Sequence, residues 1–140
     1  VCSLKRDHVV LHKRSGYVKV WGKRNKYREV PLNTTARQAL VDYLADRAKA
    51  ASFLFISQRT GAPLTPRGLG FVIKKYAQKA GLPGLRPHDL RHRFGYRMAE
   101  TVPLHRLAQI MGHDSLDTTM IYIRGTEQDL QQAVEQIAWQ

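Results

Sequence analysis

The chain has 140 residues, 43% of them apolar, and a net charge of +12 from 23 basic and 11 acidic side chains. That length allows a domain with a real core. The lone Cys2 excludes a disulfide frame and a Cys-based zinc site, and no apolar run approaches membrane-spanning length.

The charge is unevenly spread. Residues 1–31 hold nine Lys/Arg against two acids, and residues 67–106 hold nine against two. Residues 107–140 hold only Arg124 against five acids. Two basic blocks and an acidic tail predict one surface for a polyanion, with nucleic acid as the leading partner. A single thiol and no secretory signal point to a reducing, intracellular compartment.

The first 32 residues read as strands. Val9-Val-Leu11 is a short β run, Lys13 to Gly16 a turn, and Tyr17 to Trp21 an alternating half-buried strand. Gly22 to Lys26 forms a second, basic turn, and Tyr27 to Leu32 returns as a third strand. The expected product is a small antiparallel sheet whose tip carries Lys23, Arg24 and Lys26. Asn33 or Thr34 can cap a helix to about Lys49, with Ala36, Ala39, Leu40, Tyr43, Leu44 and Ala48 at helical spacing. Phe53 to Ile56 is a short buried segment. Thr65-Pro66 is a cap followed by Pro at the first helical position, opening a basic helix with Lys74, Lys75 and Lys79 that ends at Gly81-Leu-Pro-Gly84.

Pro87 opens the next helix, expected to run to about Glu100. On it His88, Arg91 and His92 stand at i, i+3 and i+4, on one face. Gly95 and Ala99 lie behind them on that face, where small residues let another segment pack close. Leu90, Phe94 and Met98 fall on the other side and are expected to face a core. A face of two imidazoles and a guanidinium, without a carboxylate, suits a phosphate, because the guanidinium fork matches phosphate oxygens. His-x-x-x-His is also metal-ligand spacing, so a zinc hydrolase is the rival. Asp89 stands where a zinc protease has Glu, and Arg91 would put a fixed positive charge beside the metal.

Val102-Pro103 starts a further helix with Leu104, Leu107, Ala108 and Met111 as its inner stripe and Gly112 as its stop. His113-Asp-Ser-Leu leads into one or two helical turns capped by Asp117 and containing Tyr122. Thr126-Glu-Gln-Asp129 is a capping-box variant that opens a last amphipathic helix.

Gly22-Lys-x-Asn-Lys-x-Arg-x-Val-Pro-Leu32, His88-x-Leu-Arg-His92 and Met111-Gly-His-x-x-x-x-Thr-Thr-x-x-Tyr122 occur in this order and spacing. Together they resemble the tyrosine recombinases, also called the phage-integrase family, from about Leu4 to Arg124. The resemblance implies a mainly α fold with a small antiparallel sheet near the N-terminus, the catalytic domain of DNA breaking and rejoining enzymes. Residues 1–140 would be one partial catalytic domain: a sheet region over 1–32, a helical core with the active site over 33–125 and a C-terminal helix over 126–140. It further implies that Tyr122 attacks a DNA phosphodiester to form a 3′-phosphotyrosyl bond and that Arg91 clamps the phosphate. His113 would bond a non-bridging oxygen and His88 would assist proton handling. Lys23 would be the general acid for the leaving oxygen, with Lys26 as the other candidate. His92 would hold the helix in place. Such transfer is mostly positioning and electrostatics. No metal, ATP or other cofactor is implied. Double-stranded DNA is the expected partner, with Arg24, Lys26, Arg28, Arg67, Lys74, Lys75 and Arg93 as candidate contacts.

A cytoplasmic protein encoded by a bacterium, phage or mobile element is the matching source, with a tetramer on DNA for the parent protein and a monomer for the fragment alone. The 126–140 helix could pack on its own domain or on a neighbouring subunit. The sequence departs from the pattern in three places. The family's first catalytic Arg would fall just before Val1, as would the N-terminal DNA-clamping domain, so the chain reads as a truncated piece whose isolated activity is weak or absent. Arg24 stands where Gly is common, and Ile123-Arg124 where Thr-His often follows the tyrosine. The alternative function is a catalytically silent DNA-binding or regulatory remnant on the same fold.

Overall fold

The computed structural model describes residues 1–46 and 51–123. These residues form two compact units, residues 1–90 and the part beginning at Arg91.

In the first unit, strands β1 (Val9–Leu11), β2 (Gly16–Trp21) and β3 (Tyr27–Pro31) form an antiparallel sheet in the order β1-β2-β3. The register pairs Val9 with Val18, and Trp21 with Tyr27. Alternation along β2 buries Val18 and leaves Trp21 at the exposed edge of the pleat. His8, Trp21 and Tyr27 stack in series, with ring centroids 4.8 and 5.2 Å apart.

The β2–β3 loop closes through the Gly22 N–H donating to the Lys26 carbonyl at 2.8 Å. Lys23–Asn25 make a short 3-10 turn in which Arg24 (φ 56°) and Asn25 (φ 58°) are left-handed. Asn tolerates that region, whereas Arg has no local compensation for it. Gly22 leaves room for the Arg28 guanidinium, since a Cβ there would lie 3.0 Å from Nη1.

Helix α1 (Thr34–Ala45) is capped by Asn33, whose side chain accepts from the Ala36 N–H at 2.8 Å. Its half-buried stripe is Ala36, Leu40, Tyr43 and Leu44, while Ala39 is exposed. The expected continuation through Ala48 to Lys49 lies outside the described residues. The segment after it pairs back on the N-terminus, with the Leu54 N–H donating to the Leu4 carbonyl at 2.7 Å and Leu54 buried. Phe55 packs on the Tyr43 ring. Helix α2 (Pro66–Lys79) starts as expected, with the Thr65 hydroxyl accepting from the Gly68 N–H and Pro66 in the first turn.

Helix α3 (Pro87–Ala99) passes from the first unit into the second. The second unit continues with α4 (Leu104–Met111) and the short α5 (Leu116–Met120). Of the expected inner stripe of α4, Leu107, Ala108 and Met111 are buried and Leu104 is half-buried, and left-handed Gly112 (φ 72°) ends the helix. Leu107, Met111 and Tyr122 form the core, with Met98, Ala99 and Val102 packed on it.

Two sequence expectations are corrected here. Leu90 and Phe94 do not face a core: they are 46% and 44% exposed. The buried side of α3 in this unit is the small-residue side, because buried Gly95 admits an aromatic ring that a larger residue would exclude. The cap of α5 is Ser115, not Asp117. Extended backbone at Ser115 brings its hydroxyl to the Asp117 N–H at 3.1 Å, which leaves Asp117 inside the first turn. The expected helix from Thr126, and Arg124, lie outside the described residues. No helix among the described residues is long and apolar enough to cross a membrane.

Candidate active site

The site is assembled in the second unit from three pieces of chain. Helix α3 supplies Arg91 and His92, exposed residues one turn before buried Gly95 on the same side of the helix. The Gly112 turn delivers His113, because left-handed backbone there redirects the chain just past α4. The end of α5 delivers Thr119, and the turn that follows delivers Tyr122.

Arg91 Nη2 donates to the Met111 carbonyl at 2.8 Å and lies 3.3 Å from His113 Nε2. The carbonyl is one of the last of α4, whose acceptors have no partner within the helix. The guanidinium is thus held at a helix C-terminus, where the macrodipole favours a cation. A guanidinium carries five N–H donors, and both of these contacts use Nη2.

On its other side, His113 Nδ1 lies 2.7 Å from the Thr119 hydroxyl. Thr119 is 0% exposed and is the one buried polar residue among those described. The order Arg91, His113, Thr119 is therefore a continuous hydrogen-bonded chain, from an exposed cation to a buried hydroxyl.

Tyr122 closes the cluster. It is 5% exposed, and its hydroxyl lies 3.2 Å from His92 Nδ1. Its ring runs parallel to that of His113 at 6.4 Å and meets Tyr96 edge-on at 5.2 Å. The ring rests directly on Gly95, where a Cβ would lie 2.6 Å from it. The phenol is thus held between one imidazole that touches its oxygen and another that lies along its face.

Arg91, His92, His113 and Tyr122 are brought together in this unit. His88 stands one turn before Arg91 on α3 and is exposed. Lys23, Arg24 and Lys26 sit on the exposed tip of the β2–β3 loop in the first unit, and Arg28 is half-buried beside Gly22. On α2, Lys74 and Lys75 are exposed, and Arg67 lies over the Phe71 ring at 5.8 Å. Arg93 is exposed on α3. Among the described residues no group of three or more His, Cys, Asp or Glu is placed to hold a metal ion.

Sequence reasoning assigned no role to Thr119 or Tyr96. The signal for Thr119 was present in its i, i+3 spacing to Tyr122, and in the structure the Tyr122 N–H, just past α5, donates to the Thr119 carbonyl at 3.0 Å. Nothing in the local sequence marks Tyr96, which meets Tyr122 only because the turn after α5 seats that ring on Gly95 of α3.

Comparison with known proteins gives the class. The model of the phage integrase family matches residues 1–129. Tyrosine recombinase XerC of Bacillus pumilus is 34% identical over 141 aligned positions, which cover 93% of this chain and 45% of that protein. Tyrosine recombinase XerA of Pyrococcus horikoshii is 33% identical over 138 positions, covering 96% of this chain and 48% of the relative. The crystal structure of XerH site-specific recombinase bound to difH substrate, a pre-cleavage complex, aligns with a TM-score of 0.79 at 27% identity. That alignment covers 99% of this chain and 42% of XerH. The chain belongs to the phage integrase family, and its fold is that of a tyrosine recombinase catalytic domain. It spans less than half the length of these two curated relatives.

Proposed function

We propose that this chain is the strand-transfer part of a site-specific DNA recombinase, and that Tyr122 is its nucleophile. The observation that carries the reading is the single cluster holding the Tyr122 phenol, the Arg91 guanidinium and the His113 imidazole. A phenol beside a bidentate phosphate ligand and an imidazole is the minimum set for attack on a phosphodiester.

In the proposed reaction Arg91 and His113 hold the non-bridging oxygens of the scissile phosphate. The Tyr122 oxygen attacks phosphorus and the bond to the 5′-oxygen breaks. His88 assists removal of the phenolic proton, and the leaving oxygen takes a proton from Lys23, or from Lys26 on the same tip. One phosphoester replaces another, so bond energy is kept for rejoining and no ATP is consumed. The resting pose adds a condition. Tyr122 is buried, so its ring must leave the Gly95 seat before it reaches a phosphate. Basic residues of the loop tip and of α2 supply sequence-independent affinity for double-stranded DNA.

The test is covalent capture. A randomised pool of nicked DNA duplexes is mixed with the protein, and complexes that survive detergent are recovered. The expected result is an adduct on a restricted set of sequences, abolished in Tyr122→Phe. An adduct unchanged in Tyr122→Phe would overturn the assignment. Salt-sensitive DNA binding with no adduct would favour the second reading, a silent DNA-binding remnant, which the burial of Tyr122 favours.

A further inference from the structure

Within the Arg91–His113–Thr119 chain the donor-only guanidinium gives the hydrogen bonds their direction. A guanidinium has donors and no acceptor. At 3.3 Å from Arg91 Nη2, His113 Nε2 must therefore offer its lone pair. A neutral imidazole then carries its proton on Nδ1, and Nδ1–H donates to the Thr119 oxygen at 2.7 Å. Resting His113 thus presents an acceptor at Nε2, where the proposed chemistry needs a donor to a phosphate oxygen.

We propose that Thr119 is a positioning residue that keeps His113 Nδ1 partnered in both tautomers, accepting from Nδ1–H while Arg91 occupies Nε2 and donating to a bare Nδ1 when a phosphate takes Arg91 and the proton sits on Nε2. The hydroxyl can fill both parts, having one hydrogen and two lone pairs. At rest it accepts from Nδ1–H. When Arg91 turns its donors to a phosphate, His113 takes a proton from water at Nε2 and gives up the Nδ1 proton to water as the ring swings briefly away from Thr119. Charge on the ring is unchanged, and the Thr119 hydroxyl rotates to donate to the bare Nδ1. A carboxylate in this place would favour Nδ1–H in every state and draw the ring toward imidazolium. Burial of Thr119 removes competing water, so the imidazole is its partner in either arrangement. The role in catalysis rests on the function proposed above, but the resting tautomer does not.

The test therefore has two readouts. Long-range proton–nitrogen NMR of the 140-residue chain, with the His113 signals assigned by their loss in His113→Asn, reads the tautomer directly. Wild type is expected to show a protonated Nδ1 and a bare Nε2. Thr119→Val, which keeps the shape and removes the hydroxyl, is expected to shift the ring toward Nε2–H, and Thr119→Ser to restore it. A wild-type ring protonated on Nε2, or a Thr119→Val spectrum identical to wild type, overturns the proposal. In the covalent-capture assay Thr119→Val is expected to slow adduct formation by about 10-fold to 100-fold, the usual cost of losing a partner that orients a working histidine, with recovery in Thr119→Ser. Equal rates in wild type and Thr119→Val would overturn the catalytic half. If wild type gives no adduct, the function reading fails, and the NMR result alone decides the tautomer.

Discussion

At Gly95 one absent methyl group decides where the phenol sits. A Cβ would stand 2.6 Å from the Tyr122 ring, inside any tolerable contact. Gly95→Ala is expected to push Tyr122 out of its seat and to cost about 1–3 kcal/mol, as overpacking does. Urea unfolding reads the stability, and nitration of Tyr122 followed by peptide mass analysis reads the exposure. Unchanged nitration would show that the ring is not held there. His92 makes the complementary contact, 3.2 Å from the phenol oxygen. Sequence reasoning assigns His92 a structural role near the site, and in the structure it lies against Tyr122. His92→Phe keeps a ring and removes the nitrogen, so nitration of Tyr122 is expected to rise. His92→Asn, which puts a side-chain oxygen near the Nδ1 position, is expected to keep it low. Tyr27 is a separate case. Its hydrogen bond to Glu29 at 2.7 Å raises its pKa to about 12. The neutral phenol is the favoured form, so the bond is intact below the ordinary value of 10.0 and is lost as pH rises through about 12. Absorbance titration is expected to show one late tyrosine ionisation, absent in Tyr27→Phe. Tyr27 is half exposed on the sheet edge, so this reports local structure and not global stability.

At the scale of the element, the β2–β3 loop carries strain that the sequence pattern hinted at. Arg24 stands where the family resemblance leads one to expect Gly, and its φ of 56° is a conformation that suits Gly. Left-handed backbone costs a non-Gly residue about 1–2 kcal/mol, against about 0.5–1 kcal/mol of extra chain entropy for Gly. Arg24→Gly is therefore expected to stabilise the first unit by a few tenths to about 1 kcal/mol in urea unfolding, while weakening DNA binding through the lost charge. A destabilised Arg24→Gly would mean that the Arg side chain itself holds the loop. On α5 the Ser115 hydroxyl supports the first turn of the helix that delivers Thr119 and Tyr122. Removal of a cap costs about 1 kcal/mol. In so short a helix that loss should appear as faster amide exchange through residues 116–120.

At the scale of the whole molecule, the net charge of +12 predicts binding to DNA that weakens steeply with salt. Replacing Lys74 and Lys75 together by Ala is expected to flatten the salt dependence of log K by about 2 if both neutralise phosphates. An unchanged slope would remove α2 from the DNA surface. Much of the architecture was legible in the sequence because its signals are local. Strand alternation in Tyr17 to Trp21, the Thr65-Pro66 start, the Leu107, Ala108 and Met111 stripe and the Gly112 stop each depend on near neighbours. Motif spacing likewise carried the family, which the match over residues 1–129 shows. The sequence by itself determined the elements, their order and the residue types available to a phosphate. Only the tertiary structure decided which side of α3 is buried, since burying Gly95 while exposing Leu90 and Phe94 inverts what hydropathy predicts. It alone put Thr119 against His113 and His92 against Tyr122, because those contacts join residues 6 and 30 positions apart and depend on how α5 packs on α4 and how the turn after it reaches α3. Periodicity reports which residues prefer to leave water. Which ring fits on which glycine, and which hydroxyl meets which nitrogen, is set by shape complementarity between elements, and no local pattern encodes it.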